Sequence, residues 1–166
     1  MKTFKYISFL ILLSALVLAS FSAWSAVPEA KEIYQKLIPL FASGNVDDIL
    51  NDWDRPVFEE NGTLFWQWGN GQICCIVEKK RAKIVTYAET VDSSQMDPTL
   101  RKRYERLKKQ FVDLLGPEDA EGEGEIKAQN VKTITALWER DGLQLGWICS
   151  FNEQMQISVL QFLLRR

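Results

Sequence analysis

The sequence predicts an α+β fold made of two tandem units, each a helix followed by a three-stranded antiparallel sheet, with the helices packed on one sheet face. Three observations carry this expectation. The pattern Tyr-x-x-Leu-x-x-x-Phe occurs as "YQKLIPLF" from Tyr34 and again as "YERLKKQF" from Tyr104, about 70 residues later. Each copy is preceded by a proline six residues upstream, Pro28 and Pro98. Each is followed by apolar, tryptophan-bearing segments broken by a strong two-residue turn signal, Asn70-Gly71 and Asp141-Gly142.

Residues 1–25 read as a secretory signal: "MKTFK" is basic, "YISFLILLSALVLASF" is continuously apolar, and "SAWSA" supplies small residues around a cleavage point after Ser25. An uncleaved anchor is the alternative, since Tyr6 to Ala26 nearly suffices to span a bilayer. No cysteine follows the apolar run, which argues against a lipid anchor. Localisation is therefore expected to be periplasmic or secreted. The mature chain, about 140 residues, suits one compact domain. Its hydrophobic fraction of 46% excludes a disordered protein. Removing Lys2 and Lys5 with no acid shifts the formal charge from −2 to −4, a poor balance for binding nucleic acid.

The first unit spans residues 26–96 and the second residues 97–166. In the first, Ile33, Leu37, Leu40 and Phe41 recur at helical spacing, Pro39 interrupts the helix, and Gly44 is a natural stop. "NVDDILNDW" reads as a short second helix with Val46, Ile49, Leu50 and Trp53 on one face. In the second, Asp97 can cap, Pro98 suits the first turn, and Leu100, Tyr104, Leu107, Phe111, Leu114 and Leu115 form one stripe up to Gly116-Pro117. The acidic "EDAEGEGE" that follows is expected to be a loop.

With Asn70-Gly71 as the turn, Trp68 would pair with Ile73 and Trp66 with Cys75; with Asp141-Gly142, Trp138 pairs with Leu145. Strand parity then places Leu64, Trp66, Trp68, Ile73, Cys75 and Val77 on a core face, together with Ile134, Trp138, Leu145, Trp147 and Cys149. The opposite face mixes apolar and polar side chains. Its candidate contact residues are Phe65, Gln67, Cys74, Ile76, Leu137, Glu139 and Ile148.

There is no histidine, which removes Ser-His-Asp and Cys-His catalysis and most catalytic zinc sites. No phosphate loop or dinucleotide fingerprint occurs. Cys74 and Cys75 are adjacent and face opposite ways; Cys75 and Cys149 are buried hydrophobes, or one bridge if the two hairpins are neighbours. The carboxylates lie in exposed polar segments, without an apolar pocket to tune them. The expectation is a chain with no catalytic residues, no metal and no cofactor.

The repeated residues Tyr34, Leu37, Phe41, Trp66 and Asn70-Gly71, matched by Tyr104, Leu107, Phe111, Trp138 and Asp141-Gly142, resemble the β-lactamase-inhibitor-protein-like architecture. "LLGPED", with the Trp-bearing strand and Asp-Gly turn after it, is similar to the small outer-membrane assembly lipoproteins of that architecture. The chain departs from both in lacking a lipid-anchor cysteine and an inhibitor disulfide pattern. The resemblance implies a protein-binding role, of inhibitor or immunity type, on the uncovered sheet face. The partner is then another protein, with membrane contact only through an uncleaved signal. An envelope assembly accessory and a small-ligand binder with a tryptophan-lined pocket are the alternatives.

Overall fold

The computed structural model describes residues 27–42, 45–51 and 53–166. The signal segment and the Gly44 helix stop lie outside the described residues. The fold is α+β: one eight-stranded antiparallel sheet with a few helices.

Helix α1 (Ala30–Leu37) starts with a capping box, in which Glu29 N–H donates to the Glu32 carboxylate at 2.8 Å. It buries Ala30, Ile33 and Leu37 and stops before Pro39, which begins the short turn α2 (Pro39–Ala42). Helix α3 (Val46–Leu50) follows the expected short segment. Helix α4 (Pro98–Leu115) is capped by Asp97, which accepts from Thr99 N–H at 2.8 Å and Leu100 N–H at 2.9 Å. It ends at Gly116, whose φ of +83° favours glycine.

The strands are β1 (Phe58–Glu60), β2 (Thr63–Trp68), β3 (Gly71–Glu78), β4 (Arg81–Asp92), β5 (Ala120–Ile126), β6 (Val131–Arg140), β7 (Leu143–Asn152) and β8 (Ile157–Arg165). Their order across the sheet is β1-β2-β3-β4-β8-β7-β6-β5. Three expectations are corrected here. The strands form one continuous eight-stranded sheet instead of a three-stranded sheet in each of two units, because β4 and β8 pair along their length. "EDAEGEGE" contributes strand β5 rather than a loop, because pairing with β6 outweighs the weak strand preference of Glu and Gly. The first hairpin turns at Gly69-Asn70, so Trp68 pairs with Gly71 and Trp66 with Ile73. Gly69, at φ +60°, supplies the first-position glycine of a II′ turn. The slip is two residues in pairing, so every side chain keeps its expected face.

The remaining tight turns, Asn61-Gly62, Lys79-Lys80 and Asp141-Gly142, carry positive φ at both central residues, the I′ pattern that matches strand twist. At Gly71 a Cβ would lie 2.5 Å from the Ala88 carbonyl oxygen and 2.8 Å from the Tyr87 ring, so only glycine fits beneath that ring.

The helices and one sheet face share a single core in which Ile33, Leu37, Leu107 and Phe111 meet Tyr87, Trp138, Trp147 and Phe162. Phe111 stacks on Phe162 at 4.6 Å and lies 5.2 Å from Trp147. The buried indoles find acceptors: Trp147 Nε1–H donates to the Tyr104 carbonyl and Trp138 Nε1–H to the Gly116 carbonyl, each at 2.9 Å, and Trp66 Nε1–H to the Asp54 carbonyl at 2.8 Å. Beside this core, Arg103 donates to the Glu89 carboxylate at 2.7 Å and to the Pro28 carbonyl at 2.9 Å, while Tyr87 O–H donates to Glu89 at 2.8 Å.

Candidate functional site

The sheet face opposite the helices is where the seven sequence-predicted contact residues stand. Cross-strand pairing arranges them in three adjacent rows. One row runs Phe65, Cys74, Thr86, Leu163, Gly146 and Leu137. The next runs Gln67, Gln72, Ala88, Gln161, Ile148 and Thr135. On the other side lie Ile76, Ile84, Arg165, Gln144 and Glu139.

The rows do not make the seven residues one contact patch. Phe65 and Leu137 are five strand steps apart, about 24 Å at the usual strand spacing. Phe65, Cys74 and Ile148 are buried, at 3%, 5% and 1% exposure. Phe65 packs on Phe58, with ring centroids 5.6 Å apart, and Ile148 clusters with Leu163 against Ile76 and Ile84. Those three side chains hold the sheet together rather than offer surface. Gln67, Glu139 and Leu137 are exposed, Leu137 at 37%. Strand parity assigns a face correctly but cannot report how neighbouring rows fill in over one another.

The accessible relief lies at the β5–β6–β7 end, where a groove of about 480 Å³ opens. Glycines open its floor, Gly122 and Gly124 on β5 and Gly146 on β7, with Thr133 and Thr135 of β6 between those strands. A Cβ at Gly122 would meet nothing within 4 Å, and one at Gly146 would touch Leu137, Ile148 and Leu163 at 3.5–3.7 Å. Leu137 and Leu163 form apolar walls, and Arg165 closes one end, its Nε–H donating to Gln144 at 2.7 Å. The glycines and Arg165 are absent from the expected contact set. The sequence signal for the two β5 glycines is the Glu-Gly alternation of "EGEGE", which at strand period puts Gly122 and Gly124 on one face.

On the other face of β5 stand Glu121 and Glu123, reached from α4. Lys108 bridges Glu118 at 3.0 Å and also holds Glu121, and Arg101 meets Glu123 at 3.3 Å. Burial disfavours the Lys108 ammonium, but hydrogen bonds to Glu121 and Glu118 more than offset it and raise its pKa above the usual lysine value. At the strand's entry, Asp119 accepts from Glu139 N–H, which chiefly holds its carboxyl below the ordinary range, with Arg140 adding to the effect.

The cysteines are free thiols. Cys75 on β3 and Cys149 on β7 have β4 and β8 between them, about 14 Å of sheet, so the hairpins are not neighbours and the alternative of a bridge does not hold. Burial pushes the Cys74, Cys75 and Cys149 thiols up to about 12, which leaves them without thiolate character. Among the described residues no three His, Cys, Asp or Glu side chains converge to hold a metal, and no helix is long and apolar enough to cross a membrane.

A smaller cleft of about 200 Å³ lies near the other edge, lined by Trp53, Trp66 and Trp68 with Lys36 and Arg55. Lys36 Nζ sits 4.1 Å over the Trp53 ring, so its cation site is already filled from within.

Comparison with known proteins finds no matching family model, curated protein or solved structure.

Proposed function

We propose that this is a secreted, periplasmic protein-binding protein of inhibitor or immunity type, acting through the sheet face that the helices leave uncovered. The observation that carries the reading is the glycine-floored groove beside exposed Leu137: apolar, concave and rimmed by Arg165, Gln144 and Glu139. A pocket of that shape suits a bulky anchor side chain from a partner, ringed by hydrogen-bonding groups.

The reading includes a duplicated module, for which the hairpins supply the support. Trp66 and Trp138 each stand three residues before a two-residue turn, pair with Ile73 and Leu145, and donate Nε1–H to a backbone carbonyl. The strand order runs β1 to β4 inward from one edge and β5 to β8 inward from the other.

The test is complex formation in envelope extract by the mature chain, followed by titration of the purified partner. A one-to-one complex that Leu137→Arg weakens at least about tenfold, with the fold retained, is expected from a groove hot spot. An unchanged affinity in that variant would remove the groove from the interface. Recovery of membrane-assembly components instead would favour an envelope accessory role. The Trp53–Trp66–Trp68 cleft supports a small-ligand reading, but its volume falls below the ~300 Å³ at which ligand pockets usually begin.

A further inference from the structure

We propose that the free edge of β5 takes a partner segment in extended conformation as a ninth strand, and that this segment alternates basic with bulky apolar residues. The inference rests on the protein-binding reading and specifies the partner's chemistry.

Among the described residues strand β5 ends the sheet, and six of its seven residues, Ala120 to Glu125, are exposed, with Ile126 half-buried. Its outer backbone N–H and C=O groups therefore face outward, a template for strand addition. The two faces of β5 then dictate what an added strand can carry. Toward the helices it presents Glu121, Glu123 and Glu125 at every second position. Lys108 is shared between Glu118 and Glu121, Arg101 meets Glu123 in a solvent-exposed pair, and Lys132, opposite Glu125, bridges Glu153, so three cations are divided among five carboxylates and acidic charge remains in excess there. Toward the groove it presents Gly122 and Gly124, with no side chain to block a neighbour leaning inward over Leu137.

An added strand has the same period of two. Its side chains beside the glutamates gain from positive charge, and those beside the glycines find an apolar groove of about 480 Å³. A second copy of this chain fails the same criterion, because pairing β5 with itself sets glutamate near glutamate, and like charges across strands repel. The acidic edge thus guards against self-association while remaining open to a basic segment.

The probe is an acetylated, amidated heptapeptide of sequence KLKFKVK, matched in length to β5 and titrated by calorimetry into the mature chain. Controls are the acidic analogue ELEFEVE, the block sequence KKKKLFV, and KLKFKVK N-methylated at alternate amides on its pairing edge. Saturable binding of KLKFKVK, lost on N-methylation and weakened by salt, is expected. Glu123→Lys with Glu125→Lys should weaken it about tenfold, since two attractive cross-strand pairs become repulsive. Gly122→Val, which has room for its side chain in the free protein, should weaken it by filling the groove. Absence of KLKFKVK binding, equal binding of ELEFEVE or KKKKLFV, or insensitivity to N-methylation would each overturn strand addition. So would concentration-dependent dimerisation of the free chain that Glu123→Lys disrupts. If the purified native partner still binds in a Leu137-dependent way while the peptide does not, strand addition fails and the groove reading stands. If Leu137→Arg leaves the partner's affinity unchanged, the groove reading itself falls.

Discussion

Replacing Arg103 by methionine removes the cation that neutralises a buried carboxylate. The two side chains of this pair are only 10% and 7% exposed, so water cannot take over the lost interaction. Arg103 contributes Nε–H at 3.0 Å and a terminal N–H at 2.7 Å to the same Glu89 oxygen, which also accepts from Tyr87 O–H. Breaking one side of such a pair costs about 3–5 kcal/mol, mostly the penalty of an uncompensated buried charge. For a domain of this size that lowers Tm by roughly 10 °C, at ~2–4 °C per kcal/mol. The assay is urea unfolding followed by tryptophan fluorescence, with the m-value checked for constancy. Combining Arg103→Met with Glu89→Gln should recover most of the loss, because the carboxamide oxygen still accepts from Tyr87 and no charge is stranded. A cost for Arg103→Met below about 1 kcal/mol, or a double variant no more stable than the single, would refute the view that a stranded charge sets the penalty.

Three further outcomes are expected. Replacing Lys79-Lys80, both at positive φ, by Asn-Gly should stabilise the β3–β4 hairpin by about 1 kcal/mol, read as a raised urea midpoint; no gain would mean that the lysines are unstrained there. The buried thiols, raised from 9.0 to about 12, hold their protons more tightly when folded, so their contribution is full below pH 9 and is lost as pH climbs toward 12. Native chain should accordingly resist alkylation at pH 8 and label only when unfolded; rapid native labelling of Cys74 would contradict its burial. The Arg106 guanidinium chiefly, aided by Gln110, holds the Glu29 carboxyl below 4.5 despite partial burial. The stability it supplies is present above pH 4.5 and fades as pH falls through the lowered value, so Glu29→Gln should flatten that part of the acid limb in pH-dependent unfolding.

Much of the architecture was legible because it is local. Asp97 and Pro98 mark the start of α4 through hydrogen bonds within one turn, and Gly116 marks its end for the same reason. Pro39 breaks the first helix because it lacks an N–H, whatever surrounds it. Period-two alternation assigned the sheet faces, so Trp66, Trp138 and Trp147 fell in the core as expected and the seven candidate residues on the other side. The contact set was less legible, since Phe65, Cys74 and Ile148 are on the right face yet buried by neighbouring rows.

Cys75 and Cys149 mark the boundary between what the chain alone determined and what tertiary structure decided. Local periodicity placed both thiols on one face, but their separation depends on strand order, and β4 and β8 come together from segments with α4, β5, β6 and β7 between them. The same holds for "EGEGE": its residues individually disfavour a strand, and only the ladder with β6, together with Lys108 and Arg101 from the helix above, makes it the sheet's edge. Capping groups, proline and alternation act within a few residues and are written in order along the chain. Which strands meet, and therefore which glycines open a groove beside Leu137, is settled by contacts between distant segments that no short stretch of sequence contains.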